Sequence, residues 1–274
     1  MKINKDTVLC MSLAAKPSNF GTRFHNYLYE AYHLNYLYKA FAPVNLAQAI
    51  QGVRGLPVRG CAISMPYKEQ VMALVDELDP SAQAIASVNT IVNTDGVLKA
   101  FNTDYMAIQQ LIDEYEISPN TRFALKGSGG MAKAIAYAFK NRGFENGIIV
   151  AKNEKTGTAL AQKLGYVWQA TLEPNQADLI INATPVGMQG TAWQDELAWP
   201  TTVIDAAHMV FDVVALPENT PTICYAKSLN KTVITGAEVF ARQALAQFHL
   251  YTGIYPEKEV FEAAAQFSRT ATTQ

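Results

Sequence analysis

Apolar and polar residues follow two alternating patterns along the chain. Short apolar runs of strand length are separated by longer segments whose apolar positions recur every three or four residues. In the segment 19–33, for example, Phe20, Phe24, Tyr27 and Leu28 fall on one face of a helix. Strands that alternate with helices are typical of parallel sheets, so the pattern predicts an α/β fold.

The pattern predicts elements in three parts of the chain. The first third has strands at 7–13, 36–40, 60–64, 90–93 and 96–100 and helices at 19–33, 46–53 and 67–76. The middle has helices at 105–115, 131–142 and 155–164 and strands at 122–126, 147–152, 178–182, 202–205, 211–214 and 232–235. Two helices, at 237–252 and 256–267, follow. Asp95-Gly96 suits the tight turn of a hairpin between the strands on either side.

The composition is that of an ordinary globular protein. The 274 residues are 49% hydrophobic and 17% charged, which is enough for one large or two medium hydrophobic cores. The formal net charge is −2 and the basic residues are scattered, so we expect no nucleic-acid partner and no membrane-surface patch. No apolar run reaches the roughly 18 residues that a membrane-spanning helix needs.

The cysteines and histidines form no recognisable ligand pattern. Cys10, Cys61 and Cys224 are isolated from one another, and the four histidines have no metal-ligand spacing. We therefore expect no metal site. An odd number of isolated cysteines suits a reducing compartment, and no signal-peptide pattern follows the N-terminal charges, so the sequence favours a cytoplasmic protein.

A glycine-rich segment lies directly after a predicted strand and at the start of a predicted helix. It reads Gly127-Ser128-Gly129-Gly130-Met131-Ala132 and fits G-x-G-x-x-A. In this pattern the first glycine makes a tight turn, the second admits a pyrophosphate, and the small last residue packs helix on strand. The helix N-terminus offers free N–H groups and a positive dipole end to phosphate. The segment predicts a dinucleotide site, with a plain strand–helix turn as the alternative.

The residues after the next strand concern the choice of dinucleotide. An NAD site usually has an acid here for the ribose 2′-OH, whereas a cation suits the 2′-phosphate of NADP. Lys152, followed by Asn153 and near Lys155, favours NADP over NAD. Glu154 keeps NAD open, and solvated surface lysines are the remaining alternative.

Four further segments have the order and spacing of known family motifs. They read Ser64-Met65-Pro66-Tyr67-Lys68, Ser87-Val88-Asn89-Thr90, Phe101-Asn102-Thr103-Asp104 and Asn182-Ala183-Thr184-Pro185-Val186-Gly187-Met188. With the glycine segment they resemble the shikimate dehydrogenase family, from His25-Asn26 to Gln243 and Tyr251-Thr252-Gly253. Each segment alone is weak evidence for the family, but the whole set in this order is specific to it.

The resemblance implies two domains and a role for particular residues. Residues 1–104 plus 236–274 would form a substrate and catalytic domain, and residues 105–235 a Rossmann dinucleotide-binding domain. Lys68 and Asp104 would be the catalytic pair. The residues expected at the substrate are Ser64, Asn89 and Gln243. Those expected at the cofactor are Thr184, Met188 and Gly236, together with the glycine segment, Lys152 and Asn153.

Elementary chemistry agrees with the expected catalytic pair. Hydride transfer to a ketone leaves negative charge on oxygen, and a lysine ammonium such as Lys68 donates a proton there and takes it back in reverse. Asp104 would hold the ammonium in place. Outside this context, Lys68 would be read as a surface lysine and Asp104 as a helix cap.

The chain departs from the family where substrate is recognised. Ordinary members carry Ser-x-Ser-Pro shortly before the His-Asn pair, and those hydroxyls hold the substrate carboxylate; this chain has Asn19-Phe20-Gly21-Thr22. Ser18, Asn19 and Thr22 are candidate replacements, with helix capping as the alternative. Asp212-Val213-Val214-Ala215 lacks the usual final tyrosine. Residues 152–155 lack the usual arginines, which bind phosphate bidentately as lysine does not.

The sequence therefore keeps the expected chemistry and alters recognition. It predicts a divergent NADP-dependent shikimate dehydrogenase-like paralogue, monomeric or homodimeric, that reversibly reduces 3-dehydroshikimate or a related cyclic hydroxy acid. A quinate or other polyol-acid dehydrogenase is one alternative. A non-catalytic NADP-binding regulator is another, although the retained Lys68 and Asp104 argue against it.

Overall fold

The computed structural model describes residues 3–269, which form two compact units. The first unit combines the residues up to Thr103 with those from Gln243 onward, and the second runs from Asp104 to Arg242. The second change of unit thus falls inside a helix, a few residues after position 236. The substrate and cofactor roles of the two units stay predictions.

Strands and helices alternate through the described residues. The strands are β1 (Val8–Leu13), β2 (Tyr36–Phe41), β3 (Gly60–Ile63), β4 (Glu77–Leu78), β5 (Thr90–Thr94), β6 (Val97–Phe101), β7 (Phe123–Lys126), β8 (Gly147–Val150), β9 (Val167–Gln169), β10 (Leu179–Asn182), β11 (Met209–Asp212) and β12 (Thr232–Thr235). The helices are α1 (Phe20–Ala31), α2 (Leu46–Gly55), α3 (Pro80–Ile85), α4 (Thr103–Glu114), α5 (Gly130–Asn141), α6 (Glu154–Leu164), α7 (Thr201–Ala206), α8 (Pro221–Ser228), α9 (Gly236–Thr252) and α10 (Lys258–Arg269). Among the described residues, no helix is both long enough and apolar enough to cross a membrane.

The first unit contains a mixed six-stranded sheet in the order β2-β1-β3-β5-β6-β4. β1 pairs in parallel with β2 and β3, whereas β5 and β6 form an antiparallel hairpin. Asp95 and Gly96 both have positive φ, 51° and 88°, as the two central residues of a type I′ turn require. The predicted hairpin is confirmed.

The C-terminal helices complete the core of the first unit. Phe261 of α10 meets Phe24 of α1 edge to face, with ring centroids 6.2 Å apart. Tyr251 of α9 packs on β3 so closely that a Cβ at Gly60 would lie 2.3 Å from its ring. Residues from both ends of the described chain therefore share one core.

His25 lies inside an aromatic cluster of this core. Its imidazole is completely buried and stacks on Tyr38 with ring centroids 4.4 Å apart. The rings of Tyr29, Phe248 and Tyr251 also surround it. Burial lowers the pKa of His25 to about 3, so the ring is neutral at physiological pH.

The second unit is a parallel sheet in the order β12-β11-β10-β7-β8-β9. Every strand pairing in it is parallel. Chain order reverses at β7, whose neighbours are β10 and β8, which is the strand order of the Rossmann fold. Ligands of such sheets bind beyond the carboxyl ends of the strands beside the reversal. The predicted α/β class with a Rossmann domain is confirmed.

One predicted helix is wrong. Residues 67–76 contain only a 3₁₀ turn at Gln70–Leu74. The carbonyl of Lys68 accepts a hydrogen bond from Val88 N, and the carboxylate of Asp76 accepts from Leu98 N. Both ends of the segment are thus held by neighbouring extended chain, so a continuous helix does not form.

The strand predicted at 202–205 is also wrong, and the one at 211–214 is displaced. Residues 201–206 form helix α7, which buries Val203 and Ile204 against Trp199, so tertiary packing overrides the β-propensity of the apolar pair. β11 begins at Met209, whose N–H donates to Asp178 O, and ends at Asp212.

The pattern does not predict the short elements β4, α3, β9 and α8. For two of them the sequence contains a helix-start signal. Asp79, followed by Pro80, caps α3, and Thr220, followed by Pro221, caps α8; each side-chain oxygen accepts a hydrogen bond from a backbone N–H. A capping residue followed by proline is a recognised helix start.

Candidate active site

The glycine segment joins β7 to α5 with the geometry that a phosphate site needs. Gly127 has φ of 122°, and a Cβ there would lie 3.0 Å from Ala183 O, so only glycine fits. A Cβ at Gly129 or Gly130 would meet nothing within 4 Å, which leaves open space at the helix start. Gly129 caps α5 without a side chain, so the first N–H groups of the helix are not taken by a cap. Ala132 is buried, as the helix–strand contact requires.

Polar side chains border this loop at the end of β8. Ser128 Oγ lies 2.8 Å from Thr156 Oγ1, which links the glycine loop to α6. Asn153 caps α6 by accepting from Thr156 N at 3.1 Å. Lys152 is exposed and leaves its ammonium available to an anion. Met131, the first side chain of α5 beyond the glycines, is half-buried.

A second lysine, which sequence reasoning missed, lies beside Lys152. Lys126 ends β7, donates to the carbonyl of Ala198 and lies 5.2 Å from the ring of Trp199. Burial, and then the charge of Lys152, lower the pKa of Lys126. Two cations therefore lie at the carboxyl ends of adjacent strands, where a cofactor phosphate is expected.

Asn182 organises the segment that was expected to border the cofactor. Its Oδ1 accepts from Thr184 N at 3.0 Å and from Thr184 Oγ1 at 2.6 Å. Its Nδ2 donates to Val186 O and to the carboxylate of Asp212 on the neighbouring strand. Met188, further along this segment, is partly exposed. Thr184 and Met188 thus belong to one loop beyond β10.

The local packing explains why residue 236 is a glycine. A Cβ there would lie 2.3 Å from Val213 O, so the start of α9 approaches this backbone in a way that only glycine permits. At the helix start, Glu238 accepts from Thr235 N at 2.8 Å and from Thr235 Oγ1 at 3.0 Å. Whether Gly236 also meets the nicotinamide stays a prediction.

In the first unit, Asn89 is the centre of a buried hydrogen-bond network. Its Oδ1 accepts from Thr103 N at 2.7 Å and from Thr90 Oγ1 at 2.9 Å, and its Nδ2 faces Gln243 Oε1 at 3.4 Å. Gln247, one turn beyond Gln243, donates to Thr90 Oγ1 at 3.0 Å. Asn89 and Gln243 were expected at the substrate, and the structure brings them together; Gln247 was not predicted.

The turn that carries Lys68 is tied to the same network through the backbone. Lys68 follows β3, is half-buried, and its carbonyl accepts from Val88 N at 2.9 Å, one residue before Asn89. Ser64 is exposed at the start of that turn. Asp104 is buried in the first turn of α4, in the second unit. The pairing of Lys68 with Asp104 stays a prediction.

The segment that replaces the family's serine pair begins α1. Ser18 and Asn19 are exposed, Thr22 is half-buried, and Asn19 precedes the helix without a side-chain capping bond. The capping alternative therefore does not account for Asn19. A Cβ at Gly21 would lie 3.3 Å from Tyr38 Cε1 and Oη, so the tyrosine ring fills the space where a larger side chain would begin.

Comparisons with known proteins agree with this arrangement. A family model described as the shikimate dehydrogenase substrate binding domain matches residues 19–91. A shikimate dehydrogenase-like protein of Haemophilus influenzae is 53% identical over 268 residues, 98% of this chain and 99% of the relative. The solved structure of a shikimate 5-dehydrogenase-like protein, also 53% identical, has a TM-score of 0.96 and covers 98% of this chain and 100% of its own.

A more distant structure carries both ligands of the expected reaction. It is the shikimate 5-dehydrogenase of Thermus thermophilus in complex with NADP(H) and shikimate, 26% identical, with a TM-score of 0.84 over 95% of this chain and 99% of that one. The near relative is itself only dehydrogenase-like, which agrees with a divergent paralogue. Identity and coverage of this extent show that the chain belongs to the shikimate dehydrogenase family.

Proposed function

We propose that this protein is an NADP-dependent dehydrogenase acting on the CH–OH group of a cyclic hydroxy acid. The observation that carries the proposal is the link between the turn of Lys68 and the buried amide network of Asn89 and Gln243. Family membership and the glycine loop of the Rossmann unit support it.

The second unit fits a dinucleotide phosphate. Open space beyond Gly129 and Gly130, uncapped N–H groups at the start of α5, and the cations of Lys126 and Lys152 would hold it. When bound, NADP supplies hydride exchange with the carbon of the substrate. The lysines favour the form with a 2′-phosphate.

The substrate would be bound by residues of the first unit, and the proton would be moved by Lys68 with the help of Asp104. Lys68 Nζ would donate a proton to the oxygen of the carbonyl and take it back in the reverse reaction. Asp104 would hold the ammonium by charge. Asn89 and Gln243 present amide groups that suit substrate hydroxyls, since Asn89 is oriented by a buried hydrogen bond from Thr103 N and in turn faces Gln243.

The proposed substrate is 3-dehydroshikimate, interconverted with shikimate, or a related acid such as quinate. The Thermus thermophilus relative in complex with shikimate supports the class. Asn19 and Gly21 replace the serine pair of ordinary members, and Ala215 replaces the tyrosine, so slow turnover of shikimate or preference for another polyol acid is expected.

Substitution of the expected pair tests the proposal. Lys68→Ala and Asp104→Ala should each lower turnover on the best acid of a panel by about 100- to 10,000-fold, because general acid–base catalysis is lost. The double variant should be little worse than either single one. NADP binding should persist in Lys68→Ala, since the glycine loop belongs to the other unit. Lys39→Ala, at an exposed lysine of β2, is the control.

Two results would contradict this assignment. Near-normal turnover by Lys68→Ala would remove the lysine from the chemistry. A wild-type protein that binds NADP but turns over no cyclic hydroxy acid would point to a non-catalytic NADP-binding regulator.

A further inference from the structure

Asp212 is a completely buried carboxylate at the carboxyl end of β11. It pairs in register with Asn182, the last residue of β10, so two polar side chains end adjacent strands beside the reversal of strand order. Sequence reasoning noted Asp212 only as a neighbour of Ala215. A buried charge needs a reason, because removing it from water is costly.

The carboxylate accepts three hydrogen bonds and connects two loops. Asn182 Nδ2 and Val214 N donate to Oδ1 at 3.0 and 3.1 Å, and Thr220 Oγ1 donates to Oδ2 at 2.8 Å. Asn182 in turn orients Thr184. Asp212 therefore links the loop 183–188 beyond β10 to the loop 213–220 beyond β11.

The two loops also touch at other points. Gln189 N, directly after the first loop, donates to Leu216 O at 3.0 Å. A Cβ at Gly187 would lie 3.1 Å from Thr220 Cβ, so the loop backbones are close-packed there. Both loops lie where a Rossmann sheet receives its ligand, so their relative position bears on cofactor binding.

We propose that Asp212 is a positioning residue for the cofactor: its ionised carboxylate holds the loops 183–188 and 213–220 in the arrangement that binds NADP, and its protonation weakens that binding. The inference rests on the proposed function for the identity of the ligand. It goes beyond that function because it makes NADP affinity depend on the protonation of a residue that need not touch cofactor or substrate.

Every group that bonds to the carboxylate is neutral. They are Asn182, Val214 N and Thr220, while Thr235 faces Asp212 in register on β12. The titratable groups on the elements beside it are Glu238, which bonds to Thr235, and Glu218 in the loop 213–220. Burial raises the pKa of Asp212 to about 6, against the three bonds that lower it. The carboxylate is thus ionised at neutral pH and loses its charge under mild acid.

Protonation of Asp212 should change the stability of the protein and its affinity for NADP in opposite directions. Because the pKa is about 6 in the folded protein and near 3.8 when unfolded, this group favours the folded state most at low pH, and that contribution falls as pH rises from 3.8 to 6. Mild acid should therefore weaken NADP binding without loss of stability from this site. If the carboxylate only stabilised the fold, NADP binding and protein stability would change together with pH.

Asp212→Asn mimics the protonated state, since an amide oxygen still accepts at Oδ1 and the amide nitrogen donates towards Thr220. At pH 8 it should bind NADP about fivefold more weakly than wild type, because charge-assisted hydrogen bonds become neutral ones. The difference should shrink as pH falls through 6 and vanish well below it. Since the 2′-phosphate of NADP also titrates near 6, each point is expressed as the ratio of the two dissociation constants at one pH. Asp195→Asn, at an exposed acid of the same unit, should keep a ratio of one.

Wild-type protein that binds no NADP at any pH would overturn the proposed function. Binding by wild type with a ratio of one for Asp212→Asn at every pH would overturn the inference alone. Should Asp212→Asn not fold, Thr220→Val provides the test: it removes the donor to Oδ2, so the acid midpoint of NADP binding should move to higher pH. An unchanged midpoint would contradict the proposal.

Discussion

Lys152 and Lys126, at the ends of β8 and β7, give a residue-level account of dinucleotide choice. Lys152→Ala should weaken NADP binding by roughly tenfold and leave NAD binding nearly unchanged, because a charge-assisted contact to the 2′-phosphate is lost. Dissociation constants of both dinucleotides, measured at two salt concentrations, check this. The preference should also narrow with salt, since exposed charges are screened.

Lys163→Ala, at an exposed lysine late in α6, is the matched control and should change neither constant. Wild-type protein that binds NAD as tightly as NADP would contradict the expectation and would point to Glu154 as the ribose ligand.

The start of α1 allows a second test, on carboxylate recognition. Asn19→Ser should fold as wild type does, because the Asn19 side chain makes no capping bond. Gly21→Ser should lower the free energy of unfolding by about 1–3 kcal/mol, since its Cβ would lie 3.3 Å from buried Tyr38. Combined with Thr22→Pro, the two serines should lower KM for shikimate, each hydrogen bond contributing about 1.5–3 kcal/mol. An unchanged KM would mean that the carboxylate is held elsewhere or that shikimate is not the substrate.

Some residues of the candidate site could be identified from the sequence, and others could not. Asn89 and Gln243 were identified by a family pattern, and the structure joins them although they are far apart in sequence. Gln247, Lys126 and Asp212 were missed. Their importance comes from partners such as Thr90, Trp199 and Asn182, which only the folded chain brings near them.

Packing of α9 on β3 depends on a glycine at position 60. Gly60→Ala should lower the free energy of unfolding by about 3 kcal/mol or more, because its Cβ would lie 2.3 Å from the buried ring of Tyr251. Gly52→Ala in α2 is the control: nothing lies within 4 Å of its Cβ, so it should stabilise by about 0.5–1 kcal/mol. Denaturant titration measures both. Equal stability of the two variants would contradict this packing argument.

Elements were predictable where periodicity was strong and uninterrupted. The Rossmann strands β7, β8, β10 and β12 and the helices beside them follow the apolar pattern closely. The strand prediction at 202–205 is wrong for another reason. The residues Thr-Val-Ile favour a strand by their β-propensity, but Pro200 and the surrounding core favour helix α7. Short elements such as β9 owe their existence to a neighbouring strand and leave little trace in the sequence.

The two units of the molecule should respond differently to acid. His25 of the first unit has a pKa of about 3 when folded and 6.5 when unfolded. Its contribution to stability is complete above pH 6.5 and is lost as pH falls towards 3, by roughly 5 kcal/mol in all. Asp212 of the second unit has the opposite sign between pH 6 and 3.8. From these two buried groups, we expect the first unit to unfold first.

The tryptophans allow this order to be measured. Trp168, Trp193 and Trp199 all belong to the second unit, so tryptophan fluorescence reports on that unit while far-ultraviolet circular dichroism reports on both. On acidification, loss of helical signal should precede the fluorescence change. His25→Phe should move the first step to lower pH. If the circular dichroism and fluorescence transitions coincided, at the same pH in wild type and in His25→Phe, the expectation would be contradicted.

The discontinuity of the first unit also affects how the chain is made. Domains generally fold as units during synthesis, in the order in which they emerge from the ribosome. Residues 104–242 form a complete unit before residues 243–269 exist, whereas the N-terminal sheet still lacks Tyr251 at Gly60 and Phe261 at Phe24. The part synthesised first would therefore finish folding last. Until then its apolar surface is exposed, so the N-terminal hundred or so residues are where a nascent-chain chaperone would bind.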